Sequence, residues 1–580
     1  MTLNGIWEIK KMALRNLSRH KVKTILTSLA IMISVAVFIF INSWLGGMQI
    51  ESRRNIVIYE IGAAKLQTNL YFERKDEMPS YENFTNWEMY KEALSREGYV
   101  SAPRYVFNGT VFSVSGSAPI RFFAVDPDSE RETLRYVPYV DFGRYVQNGG
   151  FEITVGTVAA ERLKVGVPTR PLRKELEDLI SVTAVNTNDA EFIRSLYDVR
   201  KETAMDIFSP VDTRAGTGNE RMILKSSASR ADLDRYWNLI AATDRNNVRI
   251  NTTVDIRMTP DIIRADKWEG ELMPALRGED RAAVRDAYQY EDFMDAYFLT
   301  ETNPRQISRI LDAMIRAGFS GAVSHINQVF DVVVVGVINS PAPLPNGNTA
   351  FIPLDALQGS SGMMLEGAVT ELVIRERGAP DDRLPGRSES AAVITAALRR
   401  GLASIGDGIT LPEEFGVYVW QDYMREYLDY EAIQVGMPQI MTFLLLLLSF
   451  LGISNTILLA ILERTKEIGM MRAMGMTDRQ MILVYMLEAG FLGFIGSVFG
   501  MLAGVLINIP MVEYGIDFSG IGDLLTDGIG FRTTAVFKSM WNIPMIFISG
   551  ITATLLSSLV AIFPVRRAIK MPITNSLRFE

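Results

Sequence analysis

The sequence predicts an α-helical membrane protein with four transmembrane helices and a large α+β extracytoplasmic domain inserted between helices 1 and 2. Three observations carry this reading. Apolar runs long enough to span a bilayer lie at 24–46, 437–462, 481–509 and 541–565. Basic residues crowd the short segments beside them. The long segment 47–436 between the first run and the second mixes strand-like and helix-like stretches.

Composition sets the limits. The chain has 580 residues, of which 22% are charged, yet its mean hydropathy is +0.12 because the apolar residues are gathered into runs. It has no cysteine, which excludes disulfides, thiolate metal sites and a catalytic thiol. An outer domain of this length must therefore be held by its own hydrophobic cores. His20 and His325 are the two histidines, and the topology below places them on opposite sides of the membrane. A histidine-built metal site or proton relay has no support.

Residues 1–23 read as a basic segment, with Lys10, Lys11, Arg15, Arg19, Lys21 and Lys23 against Glu8. Run 24–46 follows. At about 1.5 Å per residue it crosses a hydrocarbon core of about 30 Å. A signal peptide would have a shorter apolar core and a small-residue cleavage site, so the run reads as an anchor. Residues 48–60 extend its helix outward.

The outer segment starts with a strand-like stretch at 64–72, a helix at 83–96 and strands at 99–115 and 119–125. A matching unit closes it, with a strand at 369–375, a helix at 388–403 and a strand at 417–420. Two strand–helix–strand units predict a split, membrane-proximal α/β part over about 60–127 and 367–436, with 128–366 inserted into it. Within the insertion, 152–155, 180–184 and 330–338 read as strands, and 191–205 and 281–297 as helical; the fold of 187–327 is not legible.

Charge sets the direction of the spans. The segments 1–23, 463–480 and 566–580 together carry fourteen basic and five acidic residues, a net +9 in a chain of −8, so the remainder carries −17. By the positive-inside rule these three segments and both termini are cytosolic, and 47–436 and 510–540 lie outside. In the third run Gly490, Gly493, Gly496, Gly500 and Gly504 recur at spacings of three and four, a helix face where small residues let backbones approach. Glu488 is the one acid within a span. There is no ladder of intramembrane charges, so nothing indicates an aqueous route for a polar solute.

Catalytic signatures are absent. The chain has no phosphate-binding G-x-x-x-x-G-K-[ST], no H-E-x-x-H and no G-x-S-x-G. The clusters Glu175/Glu177/Asp178 and Glu291/Asp292/Asp295 read as solvated faces. Outer-domain cations are scattered among acids, so nucleic acid is not a partner. What stands out is the loop between the second and third runs. It carries a helical pattern with apolar and charged sides, a surface suited to being gripped in the cytosol. Its Met470, Met471, Met474 and Met476 either serve as adaptable contacts or bury against the bundle.

This loop carries Glu463, Arg464, Glu467, Ile468, Gly469, Arg472, Ala473 and Gly475 in the pattern E-R-x-x-E-I-G-x-x-R-A-x-G, followed by Leu487-Glu488-Ala489-Gly490 and the glycine face. It resembles the signature of FtsX/MacB-type ABC transporter permeases, most of all the lipoprotein-releasing LolC/LolE-type subunits. The tail Pro564–Arg578 resembles the same family, as do Phe123–Asp126, Thr157–Gly166 and Phe330–Leu357 in the outer domain, and Ala13–Thr24 resembles its amphipathic entry helix, which implies a cytosolic amphipathic helix over 1–23. The resemblance implies a split MacB-like periplasmic core domain and a bacterial inner-membrane location. It implies a permease that is not itself an enzyme and holds no cofactor, ATP and Mg being bound by a separate cytosolic ABC ATPase dimer. The other implied partners are a second permease subunit, identical or homologous, membrane lipids, and a periplasmic chaperone, adaptor or lipoprotein. The implied mechanism is mechanotransmission, with Glu463, Arg464, Lys466, Glu467, Gly469, Arg472, Ala473 and Gly475 coupling ATPase closure to the outer domain. Lipoprotein release is the leading expectation. MacB-like export of peptides, toxins or drugs through an adaptor, and FtsX-like control of a cell-wall enzyme, are the alternatives.

Overall fold

The computed structural model describes residues 21–183, 185–199, 218–358, 367–381, 383–406, 408–429, 465–517 and 536–570, with isolated positions between 436 and 458. The expected entry helix before residue 21, most of the second span at 437–462, Glu463, Arg464, most of 510–540 and the last ten residues lie outside that set. Two compact units result. One comprises the chain up to Arg53 with Met424–Phe518 and the part from Ala535 on; the other is built mainly from Arg54–Tyr423. Helix α1 (Lys21–Ile56) runs unbroken from the apolar run into a π turn at Val57–Ile61.

The soluble unit is organised on ten strands. In chain order they are β1 (Ala64–Thr68), β2 (Tyr99–Phe112), β3 (Ser117–Val125), β4 (Val140–Gly143), β5 (Glu152–Gly156), β6 (Asn247–Arg257), β7 (Val323–Ile338), β8 (Thr349–Pro353), β9 (Glu371–Glu376) and β10 (Phe415–Val419). Their order is β10-β1-β9-β2-β3-β8-β5-β7-β4, with β6 paired to both β7 and β2. Helices α2 (Trp87–Arg96) and α3 (Ala391–Ile405) belong to the two strand–helix–strand units, whose strands lie side by side as β10-β1-β9-β2, all antiparallel. This is a split β–α–β arrangement. The two helices meet at Gly401, where a Cβ would come 2.3 Å from the Ala93 carbonyl oxygen.

The segment 128–366 is not a separate body. Its β8 pairs parallel to β3, β5 pairs with β8 and β7, and β6 returns to β2, so six strands close a ring of pairings. Alternation along the strands fills two cores: Phe122, Ile120, Val155, Ile250, Val334 and Ile352 face one way, and Phe123, Val125, Phe351 and Val373 the other. Across strands β1, β2 and β9 runs a buried polar network. Lys65 Nζ donates to Glu371 Oε2 at 2.8 Å, and Arg104 Nε to Glu130 Oε1 at 2.9 Å, with Arg104 1% exposed.

Several expected elements change type. Of the strand expected over 180–184, residues 180–182 are instead the last turn of the helix Arg173–Val182, whose Leu176, Leu179 and Ile180 form a buried helical stripe, and residue 184 lies outside the described residues. The strand expected over 64–72 ends at Thr68, whose hydroxyl accepts the Tyr71 N–H and starts a short helix. The helix expected over 281–297 stops at Ala287 and gives way to a hairpin, Tyr288–Glu291 with Ala296–Leu299. That hairpin belongs to a smaller module with its own core around Trp268, Leu272, Val284, Ile310 and Met314. Helix Thr187–Ser195 covers part of the stretch expected at 191–205, and 200–205 lie outside the described residues.

In the other unit, α4 (Thr465–Ala473), α5 (Asp478–Glu513), α6 (Ile543–Val560) and α7 (Ile562–Ile569) join α1. Among the described residues three helices are long and apolar enough to cross a membrane: Thr24–Ile61, Asp478–Glu513 and Ile543–Arg567. Of the four expected spans three are described, and the one expected at 437–462 lies mostly outside the described residues. The glycines of α5 face two neighbours. A Cβ at Gly493 would sit 2.6 Å from the Ser557 side chain on α6; at Gly496 and Gly500 it would meet the α1 carbonyls of Ser28 and Met32, both at 2.8 Å. Gly490 has 3.5 Å of room beside Ser558, and Gly504 3.1 Å beside Ile39. At the other end of α5, Asn508 accepts from the Ser539 hydroxyl at 2.5 Å and donates to the Met540 carbonyl at 3.2 Å, while Met540 N–H donates to Ser43 on α1.

Candidate coupling surface

The loop after the second run folds as a helix, a turn and a helix start. Gly475 has φ +95°, a conformation that glycine adopts without a Cβ penalty. Around it the Met476 N–H donates to the Met471 carbonyl at 3.1 Å and the Gly475 N–H to the Arg472 carbonyl at 3.0 Å. This doubly bonded cap is a Schellman motif, and its expected apolar contact is present as Met471 and Met476 pack on one cluster. Two residues on, the Thr477 hydroxyl accepts the Gln480 N–H while Gln480 Oε1 accepts the Thr477 N–H at 2.9 Å, a capping box that starts α5.

Packing gives α4 two sides. Ile468, 2% exposed, is buried with Met481 and Tyr485 of α5 and Val565 and Ile569 of α7. Gly469 is buried beside it. The opposite side presents Glu467, Met470, Ala473 and Met474, with Met470 48% and Met474 80% exposed. Residues 467, 470 and 474 share one helix face by the three- and four-residue spacing. The methionine patch is therefore divided, two residues anchoring the helix and two facing outward.

Arg472 is not on the outward stripe. It is largely buried, and its Nε lies 3.6 Å from Asp478 Oδ1. Lys466 lies within α4, and Gly475 forms the cap. Ile468, the Met471–Met476 contact, Asp478 and the Thr477–Gln480 cap were absent from the sequence-based site. The T-x-x-Q spacing after Gly475 was the readable signal for the cap.

Residues 439–573 match the family model for the FtsX-like permease C-terminal domain. Over that stretch, which is less than half of the chain, the protein is similar to FtsX-like permeases. Its curated relatives include the lipoprotein-releasing system transmembrane protein LolC of Haemophilus influenzae, 23% identical over 173 residues, 29% of this chain and 41% of the relative. The ABC transporter permease YtrF of Bacillus subtilis is 26% identical over 140 residues, 23% of this chain and 30% of the relative. The macrolide export ATP-binding/permease protein MacB of Pasteurella multocida is 20% identical over 253 residues, 43% of this chain and 34% of the relative. The chain thus spans less than half the length of each. The matched stretch contains the whole helix–cap–helix unit and helices α4 to α7.

Proposed function

We propose that this chain is the membrane subunit through which a separate cytosolic ABC ATPase drives movements of the soluble unit, with lipoprotein release from the inner membrane as its task. The observation that carries the coupling role is the two-sided α4. Its inner side is locked to α5 and α7 through Ile468, Met481 and Val565, while Glu467, Met470 and Met474 stand outward. A push on that outer stripe passes directly to two apolar helices instead of being absorbed by a loose loop. The glycine contacts of α5 with α1 and α6 then carry it through the bundle, since close-packed helices move as bodies. Both termini are cytosolic in this reading, four helices span, two permease subunits assemble with two ATPase copies, and ATP and Mg are held by the ATPase. Lipoprotein release is preferred over peptide, toxin or drug export because LolC is the relative matched over the largest share of its own length among those above.

The test is purification from native membranes with identification of the ATPase and any lipoprotein that co-purify, repeated with Glu467→Lys. The expected result is an ATPase bound to the wild type, with the variant inserted and folded but devoid of ATP-dependent release. Normal release by the variant sinks the coupling assignment. A bound peptide or drug in place of a lipoprotein overturns the substrate but leaves the coupling intact.

A further inference from the structure

In the soluble unit a cavity of about 450 Å³ lies between the helix Thr157–Leu163, the proline-bearing loop 164–172 and strands β4 and β7. Its volume falls in the range of small-molecule sites, roughly 300–1,000 Å³. Phe142 and Val337, cross-strand partners on β4 and β7, pave it together with Val165 and Val167, all buried. Its polar lining is mostly cationic: Lys164, Arg170, Arg221 and Arg245 against Glu161 and Glu175.

The carboxylates are already engaged. Glu175 takes Lys164 Nζ at 2.8 Å and the Leu172 N–H at 3.1 Å, and Glu161 accepts the Thr169 hydroxyl at 3.1 Å. Arg221 and Arg245 differ. Among the described residues their side chains donate to backbone carbonyls, Arg221 to Arg170 at 3.2 Å and Arg245 to Lys164 at 3.1 Å. Burial pulls the Arg245 guanidinium below its ordinary value, the mark of a desolvated cation. Neither guanidinium hydrogen-bonds a carboxylate among the described residues, and Glu175, whose charge both feel, is already held by Lys164, so the apolar-floored cavity keeps an excess of positive charge that an anion would balance.

We propose that this cavity binds a small amphipathic anion, its carboxylate or phosphate head held by Arg221 and Arg245 and its apolar body resting on Phe142, Val165 and Val337. The guanidinium fork suits either head through paired N–H donors. A neutral polar solute would leave the cations unbalanced, and a hydrocarbon would bury them further. The site stands apart from the coupling reading and survives its failure.

The test is calorimetric titration of the full chain in phosphatidylcholine nanodiscs with phenylacetate, phenyl phosphate and neutral phenylacetamide. At least one anion is expected to bind saturably and phenylacetamide about tenfold more weakly or not at all; the anion preferred identifies the head group. Arg221→Gln and Arg245→Gln each weaken binding by about tenfold or more, as loss of a charge-assisted bond implies. Val158→Trp, which fills the cavity from its half-exposed wall without touching a charge, abolishes binding, so the site remains testable where an arginine variant fails to fold. Equal binding of phenylacetamide, no saturable binding of either anion, or unchanged binding in the folded variants overturns the proposal.

Discussion

Arg472 Nε lies 3.6 Å from Asp478 Oδ1, so the last turn of α4 is tied to the first residue of α5 across the Gly475 cap. Asp478 is 62% exposed, which limits the pair to a coupling of about 1 kcal/mol or less. A double-mutant cycle of Arg472→Ala and Asp478→Asn is expected to return a value in that range. Amide exchange over 465–476 should accelerate in both single variants while the global unfolding midpoint stays put. A large drop in that midpoint would show the pair to be structural for the whole bundle.

The divided methionine patch predicts opposite outcomes for neighbouring residues. Met474→Lys, on the exposed side, should leave thermal stability unchanged and weaken ATPase binding. Met471→Lys places a charge in the cluster with Ile468 and Tyr485 and should cost about 2–4 kcal/mol, read as a lower unfolding midpoint in detergent. Equal effects of the two would contradict the two-sided helix.

Glycine positions on α5 are ranked by the room around them. Gly490→Ala should be tolerated, with 3.5 Å to Ser558. Gly500→Val forces a Cβ to 2.8 Å from the Met32 carbonyl oxygen, a main-chain atom that cannot swing aside, and overpacking of this kind costs about 1–3 kcal/mol. Thermal unfolding of the two variants in the same detergent decides the order.

Arg104 is 1% exposed and faces Glu130, itself fully buried. Arg104→Ala strands that carboxylate in the sheet and should destabilise the soluble unit by about 3–5 kcal/mol. Replacing both members with apolar residues is expected to recover most of the loss, which a denaturant titration of single and double variants measures.

A pH test falls on Asp381. Burial pushes its carboxyl up, but hydrogen bonds from Arg375 and then Arg135 outweigh this and hold it below the usual carboxylate value. A depressed folded value contributes stability above the unfolded value near 4 and loses it as pH falls through the folded one. Asp381→Asn should therefore lower the unfolding midpoint at pH 7 and converge with the wild type in stronger acid. A difference that persists unchanged at low pH would assign the effect to something other than ionisation.

How far the sequence could be read depended on where the information for each element resides. The apolar stretches within α1 and α5 were legible, though not the helix ends, because an uninterrupted apolar run needs no partner to declare itself. Residues 180–182 were misread because Ile180 and Val182 favour strands locally, while the buried stripe Leu176–Leu179–Ile180 decides for a helix only when a core exists to receive it. The hairpin at 288–299 was missed because its turn depends on Asp295 at φ +45°, which composition does not announce. In the coupling surface, Gly475 and the charged positions were visible as a pattern, but the pattern gave Arg472 and Glu467 the same status. One turned inward to Asp478 and the other outward.

By itself, the sequence determined the apolar runs, the charge asymmetry, the lack of thiol chemistry and the helical loop with its glycine stop, because these follow from residue type and spacing alone. Only the tertiary structure decided that strands of 128–366 close a ring with β2 and β3, that the glycines of α5 serve two helices, and that α4 divides its methionines between anchor and surface. Each of those outcomes is a choice among faces that are equivalent in one dimension. It is settled by which neighbour, distant in the chain, removes an apolar side from water.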